Sequence, residues 1–152
     1  MYRPAVGKIP GWFHKYFPIF IPKNNMNNRE NINSSRVPRM SDAFPQAVMA
    51  GGFIFISGTP GLNPATGQVV SADFEQQLRQ SFVNIKAILE DAGSGIEKVV
   101  KTTIFAVAGN DFSSINTVYK EFFPEHAPAR SAPQVMPFPA GILVSVECIA
   151  QA

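Results

Sequence analysis

Two periods of apolar residues divide the chain into elements. Steps of three and four join Phe74, Leu78, Phe82, Ile85, Leu89 and Ala92, which predicts a long amphipathic helix that begins at a Ser71 cap and ends at Gly93. A shorter helix is predicted after Asp111, with Phe112, Ile115, Val118, Tyr119 and Phe122 on its apolar face and Pro124 as its stop. Elsewhere the period is two. Gln46 to Ala50 and Phe53 to Ser57 flank Gly51-Gly52, which predicts a hairpin with a two-residue turn. Lys98 to Ala108 reads as a strand with Val100, Thr102, Ile104 and Ala106 on one side and Val99, Lys101, Thr103, Phe105 and Val107 on the other. Gly141 to Ala150 is a branched, apolar strand with Leu143, Ser145, Glu147 and Ile149 on one face. Ser131 to Met136 is a short strand that Pro133 confines to an edge or a bulge. The order β-β-α-β-α-β-β, with a hairpin expected at each end, predicts an α+β domain in which two helices pack on one face of a mixed sheet.

The chain of 152 residues has room for one such core. No apolar run approaches the roughly 18 to 20 residues of a membrane span, and a single cysteine excludes an internal disulfide framework. Cys148, inside the apolar strand, reads as a small buried thiol rather than a nucleophile. Charge is unevenly distributed. Residues 1–39 hold seven basic side chains against Glu30, whereas residues 40–152 hold six basic and ten acidic ones. The net charge of +6 is therefore confined to an N-terminal extension, and the net −4 of the remainder argues against a broad phosphate-binding surface.

Within that extension, prolines at 4, 10, 18 and 22 interrupt any continuous helix, and the Asn-rich tract that follows predicts a disordered linker over residues 24–38. The expected domain is thus 40–152, with 1–39 appended. The absence of acidic residues before Glu30 fits a mitochondrial presequence, but the prolines and the absence of serine do not, so the expected location is cytoplasmic with the mitochondrion as the alternative. An alternative start at Met40 would remove the extension.

Two charged residues stand in sequence otherwise suited to a core. Glu147, in mid-strand, needs a partner, a protonated state or a wet cavity, unless the strand is an edge and the carboxylate faces solvent. Arg130, on the stiff mount of Pro128-Ala129, offers a planar fork that matches a carboxylate or phosphate with two hydrogen bonds. Ser57, in a Gly-rich strand exit, and Asn110, at a strand end, are weaker candidates whose ordinary roles are turns. His14, His126 and Cys148 do not form a zinc pattern, and there is no dinucleotide loop or nucleophile triad, so no cofactor or metal is expected.

Pro128-Ala129-Arg130-Ser131, then Phe138-Pro139, then Glu147 seventeen residues after the Arg, resembles the signature of the RidA (YjgF, L-PSP) family of imine and enamine deaminases. Gln46-Ala47-Val48, Phe55-Ile56-Ser57-Gly58, Asn63 to Gly67, Val99 to Thr103 and Asn116 to Phe123 resemble family segments in the same order, covering about Met40 to Ala150. The resemblance implies a chorismate-mutase-like fold, a homotrimer with clefts between neighbours, and hydrolysis of 2-imino acids released by pyridoxal-phosphate dehydratases to 2-oxo acids and ammonia. It implies that Arg130 binds the substrate carboxylate, that Glu147 orients water, and that the Ala132 carbonyl, Asn110, Ser57, Phe105 and Phe44 line the pocket. Phe44 stands where many members have Tyr, and Thr59 where they have Gln, so side-chain preference differs while Arg130 and Glu147 are retained. Some relatives are described as endoribonucleases or translation inhibitors, which gives RNA chemistry as the rival reading; a chaperone-like trimer with neither activity is a third.

Overall fold

A computed structural model describes residues 29–152. The strands are β1 (Glu30–Ile32), β2 (Ala47–Ala50), β3 (Phe53–Pro60), β4 (Val99–Val107), β5 (Ala129–Ser131), β6 (Gln134–Val135) and β7 (Val144–Gln151); the helices are α1 (Phe74–Asp91) and α2 (Ser113–Phe122). The sheet runs β1-β2-β3-β7-β4-β5, with β6 also on β4. β5 and β6 lie parallel to β4 and every other pair is antiparallel. The expected mixed sheet with two helices is therefore present, and the helices cover one face of it. Val144, Val146, Cys148 and Ala150 of β7, Ile54 and Ile56 of β3 and Ile104 of β4 point into a core completed by Leu78, Phe82, Ile85, Ile88 and Leu89 of α1 and by Ile115 and Val118 of α2.

Local chemistry explains the element boundaries. Gly51 and Gly52 turn with φ of 59° and 81°, which suits the primed two-residue hairpin and sets Ala50 opposite Phe53. The cap of α1 is Asp73, not Ser71: the Asp73 carboxylate accepts the Gln76 N–H at 2.8 Å, while the Ser71 hydroxyl accepts the Asp73 N–H at 3.1 Å before the helix begins. Asp73 prevails because it is the residue with the extended backbone that an N-cap requires. At the far end Gly93, with φ 80°, donates to Glu90 O and Ser94 to Leu89 O, the paired bonds of a Schellman motif. Asp111 serves α2 from one position before its N-cap Phe112, its carboxylate taking both the N–H and the hydroxyl of Ser113. Those two bonds hold the Asp111 carboxyl below its ordinary pKa.

Three further expectations are corrected. First, the tract read as linker joins the fold from Glu30 onward: β1 pairs with β2, and Ser34 and Val37 are buried. Polar side chains there find partners instead of water. The buried Gln46 amide accepts from Ser34 N at 2.6 Å and donates to Val37 O at 2.8 Å. Arg36 reaches the end of α1, where it donates to Asp91, Glu90 and the Ala87 carbonyl. The folded unit thus reaches back to Glu30 rather than starting at residue 40; residues 24–28 of the expected linker, and the basic aromatic segment before them, lie outside the described residues. Second, Val100 is exposed, because the β4–β7 register skips it between Val99 and Lys101, so that Val99 and Thr102 both face the core. Third, the C-terminal end is not a hairpin. β5 and β6 pair with β4, and β7 inserts between β3 and β4. Pro133 divides the short segment into β5 and β6, and the apolar alternation of β7 is satisfied only at the centre of the sheet.

The loop after β3 is fastened to α1 by buried amides. Fully buried Gln77 donates to Ser71 O at 2.8 Å and Gly141 O at 3.0 Å and accepts from Leu143 N at 2.8 Å, tying the entry of β7 to α1. Asn84 donates to Leu62 O at 3.0 Å and Pro60 O at 3.3 Å. Gly61 lies so close to the Gln77 backbone that a β-carbon would overlap it. Gln77→Leu removes the partner of two carbonyls and one N–H at the partly buried loop entries and puts an apolar group where Gln77 was fully buried, and is expected to cost about 2–4 kcal/mol. Chemical denaturation measures it, with exposed Gln76→Leu, expected within about 0.5 kcal/mol of wild type, as the control.

Candidate functional site

The sheet has a face closed by the helices and a face left open, and pairing assigns each candidate to one of them. Arg130 on β5 is registered with Thr102 on β4. Thr102 is fully buried beneath α2, and its hydroxyl meets the Tyr119 hydroxyl at 2.9 Å. The phenol proton goes to Pro128 O at 3.2 Å, so Thr102 is the donor of the pair. The Arg130 guanidinium carbon stands 4.7 Å from the centre of the Tyr119 ring, and Nη2 donates to Asn116 Oδ1 at 2.8 Å. Among the described residues no carboxylate pairs with Arg130. Its charge is held in place without being neutralised.

Glu147 is registered with Thr103, one position on from Thr102, and so projects from the open face. β7 is central, which disposes of the edge-strand alternative. Its neighbour β3 is irregular here: between the pairs Ile56–Cys148 and Thr59–Val146, Ser57 and Gly58 together oppose Glu147. Glu147 is half-buried in a concavity of about 170 Å³ with Phe55, Lys101, Thr103 and Ile149. Lys101 does not close on it. The ammonium donates instead to Ser131 Oγ at 2.7 Å and Thr102 O at 3.1 Å. Among the described residues no hydrogen bond or ion pair occupies the Glu147 carboxyl group, which opens into that concavity.

The remaining candidates are dispersed. Ser57 donates its hydroxyl to Pro45 O at 2.8 Å, bracing the bulge. Exposed Phe44 and Ser57 share a separate, narrower pocket with Met40, Gln46, Thr59 and Leu62. Phe105 is half-buried on the open face opposite Ser145. Asn110 turns its amide back to Val107 O at 2.8 Å, the ordinary role of a turn residue. Ala132 is partly buried between β5 and β6. One chain therefore does not bring Arg130 and Glu147 together, since adjacent register positions of a pleated strand point to opposite faces. Asn116, Tyr119 and Thr102, which surround Arg130, are absent from the candidates read from sequence. Asn116 and Tyr119 share a helix face by their spacing of three, but nothing in the spacing says that the partner is an arginine.

Residues 35–152 match the family described as Endoribonuclease L-PSP. A RutC family protein of Pyrococcus horikoshii is 41% identical over 122 residues, covering 80% of this chain and 97% of that protein. The chain belongs to the RidA/L-PSP family. The 2-iminobutanoate/2-iminopropanoate deaminase of Bos taurus is 39% identical over 122 residues, covering 80% of this chain and 89% of that one. Among solved structures, E. coli TdcF with bound serine has a TM-score of 0.74 and 36% identity, covering 81% of this chain and 98% of that one. The family resemblance read from the motifs is thereby shown over residues 35–152.

Where this RidA-family chain departs from the expected motifs, the structure accounts for one of the two positions. Thr59 is buried and its hydroxyl donates to Ser57 O at 2.8 Å, so in the wall of the narrower pocket its side chain braces the bulge. Cys148, directly beside Glu147, points into the core. Burial, followed by the Glu147 charge, pushes its thiol pKa up to about 12, so the thiol stays protonated and is no nucleophile at neutral pH. The folded protein at pH 8 is expected to resist a thiol-specific reagent for hours and to react within minutes in denaturant; rapid modification of the native state would place Cys148 on the surface instead.

Proposed function

We propose that the protein hydrolyses small 2-imino acids to 2-oxo acids and ammonium. The observation that carries this reading is Arg130: a guanidinium held over an aromatic ring, tethered at one nitrogen, and free of any carboxylate among the described residues. An arginine so held keeps donors available for a substrate carboxylate, in the planar two-point contact to which its geometry is suited. The family's members named 2-iminobutanoate/2-iminopropanoate deaminase support the substrate class, and the serine bound by TdcF is an amino acid of similar size.

The reaction needs orientation more than a nucleophile. Water adds to the electrophilic C2 of the protonated imine while the Glu147 carboxylate takes a proton from it. Glu147 returns that proton to nitrogen, and the C–N bond of the carbinolamine breaks as its hydroxyl proton passes to the Glu147 carboxylate. The departing ammonia takes up that proton, so ammonium and the 2-oxo acid leave and the carboxylate is restored. Glu147, half-solvated on the open face, acts as this base. Because Arg130 and Glu147 of one chain point to opposite faces of the sheet, the site takes Arg130 from one subunit and Glu147 from another. Phe53 and Phe55, 40% and 44% exposed beside Ile149 on the open face, provide the apolar surface for this association, which we assign as a homotrimer.

Two measurements test the reading. Arg130→Lys keeps the charge but replaces the fork by a point charge, so kcat/KM for 2-iminobutanoate is expected to fall by roughly two orders of magnitude, or about 2.7 kcal/mol, with Tm unchanged. A folded variant with more than half the wild-type efficiency would falsify the two-point contact. Sedimentation equilibrium is expected to give three times the chain mass. A fully active monomer would remove the shared site.

A further inference from the structure

Arg130 stands on a short edge strand, where a long side chain would ordinarily sample many rotamers in solvent. Here two groups restrict it. Its guanidinium carbon lies over the Tyr119 ring, 4.7 Å from the centroid, and one of its five N–H groups is taken by Asn116 Oδ1 at 2.8 Å. The ring is itself fixed. Its hydroxyl is pinned between Thr102 Oγ1 at 2.9 Å and Pro128 O at 3.2 Å, and its edges pack on Phe82 and Phe123 at 5.9 and 4.7 Å between centroids. Asn116 and Tyr119 sit one turn apart on α2, so a single rigid element carries both contacts. We infer that Tyr119 and Asn116 form a positioning platform that presents the Arg130 fork in the orientation that receives the substrate carboxylate.

Chemistry favours these two residue types over a carboxylate. An Asp or Glu would hold the guanidinium at least as firmly, but would neutralise it and compete with the anionic substrate. A neutral ring and a neutral amide restrict the group and leave its charge intact. Burial raises the Tyr119 pKa above its ordinary value, outweighing the lowering by the Thr102 bond and the Arg130 charge, so the ring remains an uncharged phenol across the physiological range. Pro128 contributes twice: its carbonyl anchors the Tyr119 hydroxyl, and its chain leads two residues on into Arg130. The inference rests on the deaminase reading and adds two positioning residues that never touch substrate.

The test separates the two. Asn116 is exposed, so Asn116→Ala removes its tether without disturbing the core, and Asn116→Asp replaces it with a competing charge. Expected for Asn116→Ala is a rise in KM for 2-iminobutanoate of about tenfold with kcat changed by less than threefold; Asn116→Asp is expected to raise KM further, by about a hundredfold. Tyr119→Phe, which keeps the ring, is expected to recover most of the activity that Tyr119→Leu loses. Independently of turnover, the Arg130 Nε–H proton resonance of full-length protein is expected to show a ring-current displacement that Tyr119→Leu abolishes and Tyr119→Phe retains. If Arg130→Ala is inactive but Asn116→Ala, Asn116→Asp and Tyr119→Leu all keep wild-type KM, the platform is overturned and the deaminase reading stands. If Arg130→Ala itself turns over substrate normally, the reading fails and the platform with it.

Discussion

Everything about this molecule depends on the pleat of β7. Among the described residues it is the one strand bonded along its length to long neighbours on both sides, β3 and β4, and α1 packs across it. The alternation of a strand makes Val144, Val146, Cys148 and Ala150 structural and delivers Ser145, Glu147 and Ile149 to the other face. A slip of one residue would bury the carboxylate and expose the valines, a cost of several kcal/mol that fixes the register. The same alternation in β4 separates Thr102, under the helices, from Thr103, on the open face, and through those two residues it separates Arg130 from Glu147.

Buried amides, more than apolar contact, set how the loops enter this sheet. Gln77, Ser81 and Asn84 occupy the face of α1 that otherwise reads as core, and all are fully or almost fully buried. Each hydrogen-bonds a backbone carbonyl of its own turn or of a loop with no ladder partner, and among the described residues no buried side-chain polar atom is left unsatisfied. The N-terminal segment follows the same logic. Its Asn, Ser and Arg side chains contribute bonds to Gln46 and to the end of α1, and Arg36, then Ser34, hold the Asp91 carboxyl below its ordinary pKa. Polar composition did not prevent order, because the partners were already in place.

The contrast between Arg36, Arg79 and Arg130 bears on function. The first two are paired with carboxylates, Arg36 with Glu90 and Asp91, Arg79 with Glu121 and Glu75. Both pay for their rigidity with neutralised charge. Arg130 is restrained by a ring and an amide, so its field remains available to an incoming anion. This difference, rather than the presence of an arginine, makes β5 a candidate for binding.

Much was legible in the residues alone. Helix periodicity placed α1 and α2, Gly51-Gly52 placed the first hairpin, Pro133 broke the short edge segment, and the run Pro128 to Ser131 with Glu147 pointed to the family, because these are local properties of backbone and spacing. Two positions in the strands and caps went the other way. Ser71 yielded the cap to Asp73, and Val100 was displaced by a bulge, since each outcome depends on where a neighbouring strand or turn lies. Tertiary structure alone decided three matters. It ordered residues 30–38 through partners far away in sequence, it put β7 in the centre of the sheet, and it set Arg130 and Glu147 on opposite faces. Spacing along a chain records which residues share a strand face, but the face on which one strand's residue meets another's is a matter of register between strands, and only the folded sheet fixes it.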